Sequence, residues 1–335
     1  MVVLGIETSC DETSVAIVEN GRNILSEVVI SQVEFHKEFL GVLPELASRK
    51  HLEFINLALE KALNDANLSL TEIDRVAVTF GPGLTSSLLI GVNVAKTISF
   101  FYEKPLIKVN HVEAHLFSSF IEHEVEFPFI GLVVSGGHTN LFLVRSFYDI
   151  ELIGYTVDDA VGEAFDKVSK MLGLGYPGGP IIDKLSKEGD ENAFKFPLGA
   201  SEKPYDRYNF SYSGLKTSVL YTLRKISKCD EKTIKDICAS FQKSAIDVLY
   251  LKVKKLSEDV DIRNVVIAGG VSANSYLRKK FLEDKSLNCF IPSAKYSTDN
   301  AVMVASLGYF KPVEASLEED VFPRIPGIAK GKRNV

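Results

Sequence analysis

The first thirty residues alternate between apolar runs and polar breaks at the short period of β-strands. Apolar segments at 2–7, 14–19 and 23–31 are separated by a polar turn at 8–13 and a turn at Gly21, so a three-strand meander is expected. Its first turn is rich in side-chain oxygens. The segment PELASRKHLEFINLALEKALNDAN then changes period. Leu46, Phe54, Leu57, Ala58 and Ala62 recur near helical spacing, and Pro44 stands near the start, where a helix tolerates proline. A strand at 75–79, a Gly-Pro-Gly-Leu turn at 81–84 and a helix running to about 101 follow.

From Leu106 the pattern starts again. A short strand leads into a helix at 111–122, and strands at 129–135 and 139–145 are joined by Ser-Gly-Gly-His. Helices are expected at about 158–172, 179–188, 213–227 and 231–258. A strand at 264–268 opens a helix at 272–283, and a strand at 288–291 and a helix at 298–311 close the pattern. Strands around a polar turn, recurring once with helices between, predict an α/β protein of two related lobes with a ligand cleft between them. The expected division is 1–105 with about 306–330 for the N-terminal lobe, and 106–305 for a C-terminal lobe carrying metal and nucleotide sites.

Composition narrows the class. The 335 residues are 46% apolar and 24% charged, the balance of a soluble globular protein with a sizeable core. Cys10, Cys229, Cys238 and Cys289 form no CxxC pair, which excludes a disulfide framework and a cysteine zinc site and fits a reducing compartment. The start MVVLGIETSC has no basic region and reads as a first strand rather than a leader. Segments such as FPFIGLVVSGG are too short and too glycine-broken to cross a bilayer. A cytoplasmic location without membrane association is therefore expected. The net charge of −6 weighs against a protein that coats nucleic acid alone. An RNA substrate would need a local basic patch or a helping partner; the C-terminal IAKGKRNV is either such a patch or a solvated tail.

Three segments have the composition of phosphate sites: Glu7 to Ser14, Ser135-Gly136-Gly137-His138-Thr139, and Gly269-Gly270-Val271-Ser272-Ala273-Asn274. Glycine lets backbone N–H groups approach an anion, and Ser272 is placed to cap a following helix. Any one of them alone is more often just a turn, and it is the three together, at the ends of expected strands, that bring in a nucleotide.

His111-Val112-Glu113-Ala114-His115 opens a helix after a strand. Spacing i, i+4 puts both imidazoles on one helical face, where they could share a metal or merely hydrogen-bond at a buried helix start. Asp299 is a third ligand or a simple helix cap. Two imidazoles and a carboxylate suit iron, zinc or manganese without choosing among them. A zinc-peptidase reading fails, because Glu113 lies about 200° around the helix from His111.

Asp159, Glu163 and Asp166 stand at i, i+4 and i+7 of an expected helix. They are a solvated acidic helix start, a ribose site or a source of a proton acceptor. The turn Leu174-Gly175-Tyr176-Pro177-Gly178-Gly179-Pro180 leads into a helix that bears Asp183 one turn in.

The strings GIETSCDETSVAIV, PELASRKH, GPGL, NHVEAH, VVSGGHT, DDAVGEAFDKVSKMLGLGYPGGP, FSYSGLKT, GGVSAN and YSTDNA together resemble the TsaD family, the tRNA N6-adenosine threonylcarbamoyltransferases. The resemblance runs from residue 3 to about 330. It implies the actin/sugar-kinase/Hsp70-like (ASKHA) fold. It implies that His111, His115 and Asp299 hold one divalent metal ion, iron or zinc, with Fe2+ favoured. It places substrate or nucleotide contacts on Val134, Ser135, Gly136, Gly137, His138, Asp166, Gly179, Asp183 and Asn274, and a first phosphate-type loop on Ser9, Asp11 and Glu12. The implied reaction moves a threonylcarbamoyl group from threonylcarbamoyl-AMP to adenosine in tRNA. Asp11, Glu12, Asp159 and Glu163 remain open as proton acceptors, and no residue suggests itself as a covalent nucleophile. Implied partners in bacteria are an inactive paralogue (TsaB-like) and a small ATPase (TsaE-like). The chain departs from the family at Phe39-Leu40-Gly41, where leucine replaces the first of two glycines. A small-molecule kinase and a non-catalytic nucleotide-binding subunit are the rival readings; neither gives the paired histidines a role.

Overall fold

The computed structural model describes residues 1–198, 207–226 and 230–324; Cys229 and the basic C-terminal IAKGKRNV lie outside them. The described chain divides into two compact units, Met1–His123 with Thr298–Val335, and Glu124–Ser297.

The first unit opens with strands β1 (Val2–Glu7), β2 (Glu12–Glu19) and β3 (Asn23–Ser31). Short helix α1 (Val33–His36) and helix α2 (Pro44–Ala66) precede β4 (Arg75–Gly81). Helix α3 (Thr85–Tyr102), strand β5 (Leu106–Asn110) and helix α4 (His111–Phe117) follow. The sheet order is β3-β2-β1-β4-β5. Its first three strands form the expected antiparallel meander, while β4 and β5 add in parallel. All six β1 positions after Met1 except Val2 are fully buried, so this central strand is covered on both faces.

In the second unit, β6 (Phe129–Val134), β7 (Thr139–Val144) and β8 (Ile150–Tyr155) make another antiparallel meander. Helices α5 (Val161–Met171), α6 (Gly178–Ser186), α7 (Ser213–Lys225) and α8 (Glu231–Val260) come next. Strand β9 (Asn264–Ala268), helix α9 (Ser275–Glu283), strand β10 (Asn288–Phe290) and short helix α10 (Ala294–Ser297) complete it. The order β10-β9-β6-β7-β8 repeats the first sheet's plan, with β9 and β10 added in parallel. Phe165, Phe241, Phe281, Leu249 and Ile267 centre its core; each such side chain contributes about 1.5–3 kcal/mol on burial.

The chain then returns to the first unit as α11 (Ala301–Phe310), which packs across β1, β2 and β4. A Cβ on Gly5 would run into the Ala301 carbonyl, so glycine in β1 sets how closely this helix sits.

Two expectations are corrected. The division expected near 105 and 306 falls instead after His123 and after Ser297, which puts His111, His115 and Asp299 in the first unit and not in the C-terminal lobe expected to carry the metal site. The reason is pairing: β5 joins β4 in the first sheet, and α11 rests on that sheet. The helix expected at 298–311 starts at Ala301, with Asn300 as its cap accepting from Met303 N at 2.9 Å.

Candidate metal centre and nucleotide turns

The histidine pair is set by α4. The Asn110 side chain caps this helix, accepting from Val112 N at 2.9 Å and Glu113 N at 3.2 Å. That fixes His111 at the first helical position and His115 one turn on, both buried, with ring centroids 4.7 Å apart. Glu113 faces elsewhere and pairs with Lys311 at 2.6 Å, as the helical geometry required. Because Asn300 does the capping, Asp299 is turned toward the histidines. Its Oδ1 lies 2.9 Å from His115 Nε2 and 3.7 Å from His111 Nε2.

One ligand atom from each of His111, His115 and Asp299 falls within 4.8 Å of the others. Atoms bound to one cation at about 2.0–2.2 Å lie at comparable separations. Two further observations fit a cation here. Glu12 is pushed well above the usual carboxylate range by burial and by Asp11, Asp299 and Glu7, the signature of negative charge in excess. Burial alone would lower His111, but Asp299 and Glu7 more than offset it and lift the imidazole to about 9. The donor set fits a divalent transition metal and does not choose between iron and zinc.

The sequence puts Glu7 at the start of a phosphate-type segment and gives its carboxylate no role of its own. It ends β1 fully buried; Oε1 accepts from Ser9 N at 2.6 Å, and Oε2 accepts from the Thr79 hydroxyl at 2.6 Å. The same Oε2 lies 3.3 Å from His111 Nδ1, and the Ser9 hydroxyl lies 3.1 Å from that nitrogen. Burial favours the neutral acid, but His111 prevails and holds the carboxyl below its ordinary range. The available signal was a carboxylate closing an otherwise apolar strand, since a buried charge demands partners.

Neighbouring elements fix the turn bearing Ser9, Asp11 and Glu12. Leu84 N donates to Ser9 O at 2.8 Å, and a Cβ on Gly83 would stand 2.7 Å from that carbonyl. Asp11 is buried and Glu12 half-buried. Cys10 is driven well above the usual thiol range by burial and by Asp11 and Asp299, so it is no nucleophile.

Every expected nucleotide contact lies in the second unit. Ser135 N donates to His138 O at 2.8 Å, closing the turn that follows Val134 and β6. Gly136 and Gly137 are exposed, and a Cβ on either would meet nothing within 4 Å; packing does not demand glycine there, so the bare backbone is open to a ligand. Gly162 N donates to Ser135 O at 3.2 Å, joining the start of α5 to this turn. From α5, Asp166 accepts from Gly178 N at 2.7 Å, beside open Gly179. From α6, Asp183 accepts from the Ser275 hydroxyl at 2.8 Å, at the start of α9. Gly269, at φ +88°, comes so close to Val134 O that a Cβ would clash. These contacts link the 135–138 turn, α5, α6 and the 269–275 segment in a ring.

Two details differ from expectation. Ser272 does not cap a helix; its hydroxyl donates to Ser297 Oγ at 3.0 Å, and Asn274 caps α9 by accepting from Leu277 N at 3.0 Å. Asp159 precedes α5, so only Glu163 and Asp166 share a helical row. The Asp159 carboxylate is bound by Lys216 and by Lys167 at 2.7 Å, and despite burial these hold it below its usual range. Glu163 pairs with Lys167 at 2.8 Å.

Comparison with solved structures bears out the fold class. T. kodakarensis HypF aligns over 92% of this chain and 47% of its own, with TM-score 0.61 at 15% identity. The Acidaminococcus fermentans (R)-2-hydroxyglutaryl-CoA dehydratase component A aligns over 92% and 98%, with TM-score 0.55 at 16% identity. The two five-stranded α/β units with these neighbours define an ASKHA-fold protein. The family model for TsaD, tRNA N6-adenosine threonylcarbamoyltransferase, matches residues 23–306. Proteins of that name from Brachyspira hyodysenteriae and Thermosipho africanus are each 52% identical, over 92% of this chain and 91% and 94% of theirs. The one from Caldicellulosiruptor bescii is 47% identical over 98% and 99%. The chain belongs to the TsaD family. Among the described residues no helix is long and apolar enough to cross a membrane.

Proposed function

We propose that this chain transfers the threonylcarbamoyl group from threonylcarbamoyl-AMP to N6 of adenosine 37, beside the anticodon, in tRNAs that read codons beginning with A. The products are N6-threonylcarbamoyladenosine (t6A) and AMP. The observation that carries this reading is membership of the family over nearly the whole chain, with the His111, His115 and Asp299 cluster intact. A kinase of the same fold would have no use for that cluster.

In the reaction the bond from N6 to the carbamoyl carbon forms, the mixed-anhydride C–O bond breaks, and AMP departs with that oxygen. The N6 proton passes to a carboxylate. A divalent metal on His111, His115 and Asp299, iron or zinc with Fe2+ favoured, would supply positive charge to the donor's oxygens as charge develops. The open backbone at Gly136, Gly137 and Gly179 is suited to the adenylate's phosphate and sugar. Of the four carboxylates considered as proton acceptor, Asp159 is committed to two lysines and Glu163 pairs with Lys167, which leaves Asp11 and Glu12 on the turn after β1 as the candidates. With Cys10 far from ionisation, direct transfer without a covalent intermediate is favoured. The acceptor base is reached in an exposed loop, the usual target of proteins that read RNA.

The bacterial arrangement, with an inactive TsaB-like paralogue and a small TsaE-like ATPase in the cytoplasm, is proposed for this chain as well. The test supplies threonylcarbamoyl-AMP and unmodified tRNA to the chain with those partners. Equimolar AMP and t6A support the reading; AMP without modified nucleoside, against an active homologue in parallel, contradicts it.

A further inference from the structure

Three successive carbonyls of the β1–β2 turn are each held by a different element. Ser9 O accepts from Leu84 N at 2.8 Å and Asp11 O from Gln32 N at 2.9 Å, both backbone bonds. Between them, Cys10 O is held by a side chain, His51 Nε2 on α2, at 3.0 Å.

A carbonyl can only accept, so Nε2 of His51 carries the proton. In the neutral ring Nδ1 is then the acceptor. It receives the Thr13 hydroxyl at 2.8 Å and faces Gln32 Nε2 at 3.3 Å. His51 is fully buried, and burial pushes its pKa below the ordinary histidine value. Thr13 is the second residue of β2, the strand that leaves the turn, and the Gln32 backbone N–H also donates to Asp11 O. The ring therefore ties both sides of the turn to one face of α2.

We infer that His51 is a positioning residue for threonylcarbamoyl transfer. As the neutral Nε2–H tautomer it fixes the Cys10 carbonyl, and so where the Asp11 and Glu12 carboxylates stand beside the metal-binding cluster. It touches no reacting atom. The inference rests on the reading of this turn as part of the transfer site.

Three variants test it. His51→Phe fills the space without a polar atom, His51→Gln keeps an N–H donor at the reach of Nε2, and Thr13→Val removes the hydroxyl that fixes Nδ1 as acceptor. The measurements are kcat and KM for t6A formation, divalent-cation affinity, and amide hydrogen exchange at residues 10–12. His51→Phe is expected to lower kcat about 10- to 100-fold, as misplacement remote from the chemistry does. KM for tRNA and cation affinity stay within about twofold, since phosphate contacts and the ligand set are untouched. Exchange at Asp11 and Glu12 accelerates, and His51→Gln recovers most of both losses. If His51→Phe does not fold, Thr13→Val decides: faster exchange at the turn and mixed imidazole tautomers by 15N shifts support the inference, and wild-type values overturn it. Equal loss in His51→Phe and His51→Gln also overturns it, because shape alone would then explain the effect. A wild-type chain that makes no t6A would contradict the proposed function, while the exchange comparison would still decide whether His51 fixes the turn.

Discussion

The Glu7 carboxylate lies 3.3 Å from Nδ1 of His111, while Asp299 faces Nε2 of the same ring at 3.7 Å. An acid on one nitrogen dictates which tautomer the ring presents through the other, the arrangement common behind metal-bound histidines. Glu7→Gln keeps the size of the side chain and removes the charge. Divalent-metal affinity, measured by competition with a chelator, is expected to fall about 10- to 100-fold. Unchanged affinity would remove Glu7 from this role.

The same pair sets a pH dependence. His111 is raised to about 9, so near neutral pH the metal-free site holds a proton that an entering metal must displace. Apparent metal affinity is therefore expected to rise with pH by up to about tenfold per unit and to level off above about 9. In Glu7→Gln the levelling moves to lower pH, because one of the groups that raises the ring is gone. Titration calorimetry in buffers of different ionisation heat counts the proton released.

Glu12 and Asp159 are predicted to separate cleanly. Glu12→Gln removes a proposed proton acceptor and is expected to lower kcat about 100- to 10,000-fold with the melting temperature nearly unchanged. Asp159→Asn leaves Lys216 short of its partner and should cost about 1–3 kcal/mol of stability with a smaller effect on kcat. Thermal unfolding beside steady-state kinetics distinguishes them, and the reverse pattern would exchange their roles.

Leu40 stands where the family pattern has glycine, and it adopts φ +52°. A left-handed conformation costs a non-glycine residue about 1–2 kcal/mol, and the side chain is 41% exposed, so little burial repays it. Leu40→Gly is expected to stabilise the protein by less than about 1 kcal/mol, once glycine's greater unfolded-chain entropy is subtracted. Urea unfolding measures the difference, and a loss of stability would mean that Leu40 packs more usefully than its exposure implies.

What the sequence made legible follows from the range of each signal. Strand alternation and the i, i+4 histidines are local, so the first meander, the two strands around Ser135–His138 and the pair His111 and His115 were readable directly, whereas β8 (Ile150–Tyr155) was not among the expected strands. The partition was not, because assignment of 106–123 depends on β5 pairing in parallel with β4, and such pairing leaves no local mark. Asp299 could be read as ligand or cap, and the cap is Asn300. Asp159 was put on a helical row because a helix start two residues later looks identical in composition. The role of the Glu7 carboxylate escaped because a single carboxylate at a strand end has no period. Its meaning comes from Thr79 and His111, which are distant in sequence. The family resemblance supplied the chemistry that none of these patterns contains.

The most direct test of the central claim is nucleoside mass spectrometry of unmodified tRNA. The tRNA is incubated with threonylcarbamoyl-AMP, the partner subunits and either wild-type chain or His111→Ala. The account predicts t6A with the wild type and only background with His111→Ala. Equal t6A from both would contradict the role of the histidine cluster, and none from the wild type would contradict the transferase itself.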